Sequence, residues 1–158
     1  MKKHEDEKAF IKMVDGHKRM IYKICYMYAD SLYLVNDLFQ EVTINLWKGY
    51  GMFRGESSLQ TWVYRVTLNT CITYIRKKSR DIDTESITME VDLFEEKEDD
   101  KFATLHRMIS MLNPIDKAII LLYLEDRSYE EIADLMGMTK SNVGVKLTRI
   151  KDKLRQMS

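Results

Sequence analysis

The apolar residues of this chain recur at every third or fourth position, and no segment alternates as a strand would. The pattern is sharpest in residues 34–48. There Val35, Leu38, Phe39, Val42 and Leu46 line one face of a helix, while Asp37, Gln40, Glu41 and Asn45 keep off it. A chain with this period throughout and no strand signal is all-α, so the useful question is how its helices divide.

Composition sets the scale. A length of 158 residues suits one domain or two small ones. A hydrophobic content of 45% beside 32% charged residues fits a globular class. The longest apolar run, residues 118–124, is seven long, well short of the roughly 18 that a membrane helix needs. The charged start, MKKHEDEKAF, lacks the apolar centre of a signal peptide, so a cytoplasmic protein is expected. Cys25 and Cys71 each sit inside a helical apolar pattern and read as core residues rather than a disulfide.

The formal charge of zero hides a segregation. Residues 1–80 carry 14 Lys and Arg against 8 Asp and Glu. Residues 81–104 carry 2 against 10, and residues 105–158 carry 9 against 7. Two anion-facing modules with an acidic connector are expected, 1–80 and 102–158 around a linker at 81–101. In the connector few strong apolar anchors stand beyond Val91, Leu93 and Phe94.

In the first module a helix is expected over residues 5–28, with Phe10, Met13, Val14, His17, Ile21, Ile24 and Tyr28 on or near one stripe. The second helix, 34–48, is expected to stop at Gly49 and Gly51. Ser57 with Gln60 fits a capping box opening a third helix from Leu59 to about Lys78. Its buried stripe is read as Leu59, Trp62, Val63, Val66, Thr70 and Ile75. Arg65, Asn69, Arg76, Lys77, Lys78 and Arg80 supply its polar and basic positions.

In the second module a helix is expected over 102–111, with Leu105, Met108, Ile109 and Leu112 in register. Asn113 followed by Pro114 is a helix restart. Ser128 with Glu131 caps a short helix, Gly137 gives a turn, and Thr139 caps a longer one with Val143, Leu147, Ile150 and Leu154 inward. Short helix, glycine turn, long basic helix is a helix-turn-helix. Its second helix can enter a major groove with Lys140, Ser141, Asn142 and Lys146 toward base edges, and Arg149, Lys151 and Lys153 further along. A three-helix bundle with a solvated basic face fits the same pattern.

The third helix offers another basic face, able to neutralise phosphates. Tyr50, Phe53, Trp62 and Tyr64 place aromatic rings near it, and such rings can hold unstacked bases. Trp62 belongs to the buried stripe, which leaves Phe53 in the loop as the better base contact. Catalysis has little support: the three histidines are scattered and no phosphate-binding or metal-binding motif is present, so no cofactor and no metal are expected.

Three stretches together resemble a known family: DLFQEV with Trp47, then FRGESSLQTWVYRVTLN with its basic cluster, then SYEEIADLMGMTKSNVGVKLTRIKDKLR. The chain resembles the extracytoplasmic-function (ECF) group of bacterial RNA polymerase sigma factors, which keep only the second and fourth sigma regions. The resemblance implies two small helical domains and a role in promoter recognition rather than catalysis. Asp37, Gln40 and Glu41 would then dock on the clamp helices of the largest polymerase subunit, and region 4 on the flap. Phe53, Arg54, Glu56, Ser57 and Ser58 would capture a base flipped from the minus-ten element. Arg65, Asn69, Arg76 and Lys77 would line the DNA there. Thr139, Lys140, Ser141, Asn142, Lys146 and Arg149 would read the minus-thirty-five element. An anti-sigma factor is a further implied partner. Two departures bear on the promoter: Thr73 where many relatives carry Asp, and Gly144-Val145-Lys146 where many carry K-S-R. A glycine inside a helix costs roughly 1 kcal/mol relative to Ala, which suits close approach of DNA or a partner. The rival readings are a free-standing helix-turn-helix regulator using only residues 113–155 and an interaction adaptor with no DNA role.

Overall fold

A computed structural model describes residues 2–81 and 100–158. They form seven helices and, among the described residues, no strand. The chain divides into two compact units, one holding α1 (Lys2–Tyr28), α2 (Leu32–Tyr50) and α3 (Leu59–Asp81). The other holds α4 (Asp100–Ser110), α5 (Pro114–Leu124), α6 (Tyr129–Met136) and α7 (Lys140–Met157). The bulk of the acidic connector, with Val91, Leu93 and Phe94, lies outside the described residues.

In the first unit each helix packs on the other two. Ile21, Ile24 and Cys25 of α1 meet Leu38, Val42 and Leu46 of α2 and Val63, Leu68 and Cys71 of α3 in a buried core. Burial removes about 25 cal/mol of unfavourable hydration per Å² of apolar surface, and this is what holds helices of such modest propensity together. The two cysteines are free, with a thiol contact of 4.0 Å between them.

Several sequence expectations need correction here. Gly49 does not stop α2: the helix runs through it to Tyr50, and Gly51 is the C-cap with a right-handed φ of −69°. Ser31 caps the start of α2, accepting from Leu34 N–H at 3.1 Å. The cap of α3 is Ser58, not Ser57 with Gln60: Thr61 N–H donates to Ser58 Oγ at 3.1 Å. The first helical bond already runs from Trp62 N–H to the Ser58 carbonyl, so Ser58 is the residue in register.

The buried arc of α3 is also wider and rotated. Tyr64, Thr67, Leu68, Cys71 and Ile72 are buried, while Leu59, Trp62, Val66 and Ile75 are only partly so. The cause is that α3 packs against α1 and α2 at once, so no single stripe describes it. Thr67 fits this core because its hydroxyl donates to the Val63 carbonyl at 2.7 Å.

In the second unit the caps fall where the residue types indicate. Asn113 accepts from Asp116 N–H at 2.9 Å with Pro114 at the first turn of α5. Ser128 and Glu131 form both halves of a capping box. Gly137 takes the left-handed conformation, φ 65°, that the turn between α6 and α7 requires. Thr139 accepts from Asn142 N–H at 3.1 Å. Ile119, Leu122, Ile132, Val143, Leu147 and Ile150 are the buried centre.

Candidate nucleic-acid and partner interfaces

The outer face of α2 is the first candidate surface. Gln40 and Glu41 are exposed and Asp37 is half-buried. Ile44 and Trp47, at helical spacing from Gln40, are also exposed, at 47% and 42%. A face mixing carboxylate, amide and large apolar groups is suited to a protein partner. Sequence reasoning passed over Ile44. Its signal was an apolar residue lying off the stripe of Val35, Leu38, Val42 and Leu46.

A groove of about 680 Å³ opens beside this face, between α2 and α3. Glu41 and Asn45 line one wall, and Asn69, Thr73, Tyr74 and Lys77 the other. Its floor is tied across the helices: Asn45 Nδ2 donates to Thr70 Oγ1 at 2.9 Å, and Thr70 Oγ1 donates to the Val66 carbonyl at 2.7 Å. The Tyr74 phenol is held above its ordinary pKa, by burial first and then by the carboxylates of Asp37 and Glu41. Glu41, expected to face polymerase, therefore lines the same groove as Asn69 and Lys77, expected to face DNA. Arg65 is half-buried on α3, at helical spacing from Asn69. Arg76 and Lys77 are exposed. Lys78 ion-pairs with Asp30 at 3.9 Å, so that cation has a partner within the fold.

The loop between α2 and α3 presents Arg54, Glu56 and Ser58 to solvent, with Ser57 half-buried. Gly55 at its tip has φ 75°. Phe53 is half-buried and lies on Trp62, ring centroids 5.1 Å apart and tilted by 37°. Tyr64, expected among the aromatics near the DNA face, is instead in the core at 3% exposure. It sits next to Val63 on the side of α3 turned toward the other helices, and a helix cannot expose both that position and Arg65's neighbours equally.

In the second unit Thr139, Lys140, Ser141, Asn142 and Arg149 are exposed and Lys146 is partly so. They run from the N-cap of α7 to the middle of that helix, whose first turn contains no acid. Free N–H groups and the helix dipole make such a terminus attractive to phosphate. Lys140 Nζ lies 3.4 Å from Glu130 Oε1 of α6, a pair well exposed on both sides. Glu131 is held below the usual carboxylate range, first by Arg127 at 3.1 Å and then by the Ser128 backbone.

Lys151 is placed differently from a free phosphate contact. Its ammonium donates to the Tyr123 hydroxyl at 3.0 Å and sits 4.2 Å from that ring's centroid. Val145, one of the departures noted from sequence, is exposed on the same turn as Lys146. At Gly144, the neighbour is the Tyr129 ring of α6, 3.7 Å from where a Cβ would stand. That is ordinary contact, so space does not demand glycine there.

Among the described residues no group of three or more His, Cys, Asp or Glu is placed to hold a metal ion. No helix of the described residues is long and apolar enough to cross a membrane.

Comparison with family models matches Sigma-70 region 2 over residues 13–81 and Sigma-70 region 4 over residues 102–154. The RNA polymerase sigma factor SigV of Bacillus subtilis is 30% identical over 154 residues, covering 94% of this chain and 91% of that protein. The ECF RNA polymerase sigma factor SigW of the same organism is 25% identical over 170 residues, covering 98% and 91%. A shorter match, 38% identical over 66 residues, links the chain to the ECF sigma factor SigG of Mycobacterium tuberculosis; it spans 42% of this chain and 18% of that relative. In fold, the chain is similar to the sigma factor RpoE of Bartonella quintana, solved with the anti-sigma factor NepR. The TM-score is 0.75 at 17% identity, over 95% of this chain and 96% of that one.

Proposed function

The chain belongs to the RNA polymerase sigma factors of the extracytoplasmic-function group, and from that membership we propose that it brings core polymerase to promoters and opens them there. The first unit does two jobs. Asp37, Gln40 and Glu41, joined by Ile44 and Trp47, dock on the clamp helices of the largest polymerase subunit. Phe53 to Ser58 take a flipped base of the minus-ten element, and Arg65, Asn69, Arg76 and Lys77 follow the strand beside it. The second unit reads the minus-thirty-five element with Thr139, Lys140, Ser141, Asn142, Lys146 and Arg149, and meets the polymerase flap.

The mechanism is binding rather than catalysis. Removing a base from the stack costs a few kcal/mol, and contacts made only to the separated strand offset it. Aromatic stacking supplies about 1–3 kcal/mol per base, so a single ring such as Phe53 covers much of one flip. The protein works in the cytoplasm, where the polymerase is.

The observation that carries this reading is the pairing of both sigma regions on one chain with the exposed α2 face. A free-standing helix-turn-helix regulator leaves that face unexplained, and so does an adaptor with no DNA role. Run-off transcription with purified core on fragments of the source genome tests it. Discrete starts that need this chain support it; a chain that never binds core, or binds DNA sequence-specifically without core, overturns it. An anti-sigma partner is proposed on the ground that the similar RpoE was solved with one. Pull-down of a stoichiometric inhibitor that blocks run-off transcription is the check.

A further inference from the structure

We propose that Gly49 and Trp62 form a seat that positions Phe53 for base capture, so that both are positioning residues for promoter opening. The inference rests on the base-capture reading of residues 53–58. Gly49 lies in the last turn of α2, and the Trp62 indole of α3 lies against its bare backbone. A Cβ at position 49 would stand 3.1 Å from Trp62 Cζ2 and 3.9 Å from Cε2. The first distance is tighter than side-chain carbons ordinarily keep, so with any other residue there the indole must give way by a few tenths of an ångström.

Phe53 feels that push twice. Its ring rests on the indole, 5.1 Å between centroids. Its loop also hangs from the same residue: Met52 N–H donates to the Gly49 carbonyl at 3.1 Å, and Phe53 N–H to the Tyr50 carbonyl at 3.3 Å. Tyr50 in turn stands edge-on to Phe10 of α1, at 5.4 Å. The base of the loop is thus gripped by one aromatic from α1 and one from α3, while the exposed tip at Arg54, Gly55 and Glu56 has no such support. Phe53 is held by its attachments, and Gly49 is where the turn bond and the indole seat coincide.

The test uses holoenzyme assembled from core polymerase and the full chain. The probe is the single-stranded DNA that wild-type holoenzyme enriches from a randomised oligonucleotide pool. Gly49→Ala should weaken its binding by about threefold to tenfold, part of what one base–aromatic stack is worth. The affinity for core and the thermal midpoint of the free protein should stay near wild type. Trp62→Phe alone, which removes the ring that carries Cζ2 and with it part of the seat, should weaken binding to a similar degree, and adding it to Gly49→Ala should weaken binding little further, as coupled neighbours do. Gly49→Ala binding the probe like wild type overturns the proposal. So does Trp62→Phe binding it like wild type, or a double variant whose loss is the full product of the two single losses, with core affinity intact. Phe53→Ala is the separate control: wild-type binding there overturns the base-capture reading itself, and an effect there with none at Gly49 overturns only the seat.

Discussion

Gly49 and Gly144 are both helical glycines, yet a methyl group meets different surroundings at each. At Gly144 it would sit 3.7 Å from the Tyr129 ring, so Gly144→Ala should stabilise the second unit by about 1 kcal/mol through helix propensity alone. Urea denaturation of the full chain measures this. His106 gives a pH dependence at the same scale. Its pKa is lowered from 6.5, by burial first and by the Lys117 charge second. The unfolded chain takes up that proton near 6.5 and the folded chain only at lower pH. The unfolded state therefore binds more protons across that interval, and stability of the second unit falls as pH drops through it. His106→Gln should flatten the slope of urea midpoint against pH between about pH 7 and pH 5. His106 could be read as helical from sequence, but its burial could not, because no period marks a histidine as inward.

Helix ends show which local signals survive folding. Ser128 with Glu131 was legible because one serine stands before one short apolar run, and the structure makes both bonds. The Ser57–Gln60 spacing misplaced the α3 cap by one residue, because an adjoining serine, Ser58, stands in the register of the first turn. Ser58→Ala should therefore destabilise the first unit by about 1 kcal/mol while Ser57→Ala leaves it nearly unchanged. Thermal or urea unfolding of the two variants side by side decides it, and the reverse order would restore the Ser57 cap. The seam of α3 was less legible still. A one-sided stripe predicts Leu59, Val66 and Ile75 inside, whereas contact with both α1 and α2 buries Tyr64, Leu68 and Ile72.

Across the whole molecule the two units have separate cores, with Leu46 in one and Leu147 in the other, both fully buried. Truncating either to Ala should cost its own unit about 3 kcal/mol. Calorimetry should then show one transition moving and the other staying; both moving together would mean a single cooperative fold. By itself the sequence determined the all-α class, the family, the helix-turn-helix with its caps, and the residue types able to meet phosphate. These are properties of period and local chemistry, which act within a few residues. Only the tertiary structure decided that Glu41 shares a groove with Asn69 and Lys77, that Lys151 is held by Tyr123, and that Tyr64 is core. It also decided that Gly49, in place of ending a helix, lies inside α2 with the Trp62 indole against it. Each of these depends on which neighbouring helix occupies a given side, and no local period encodes that.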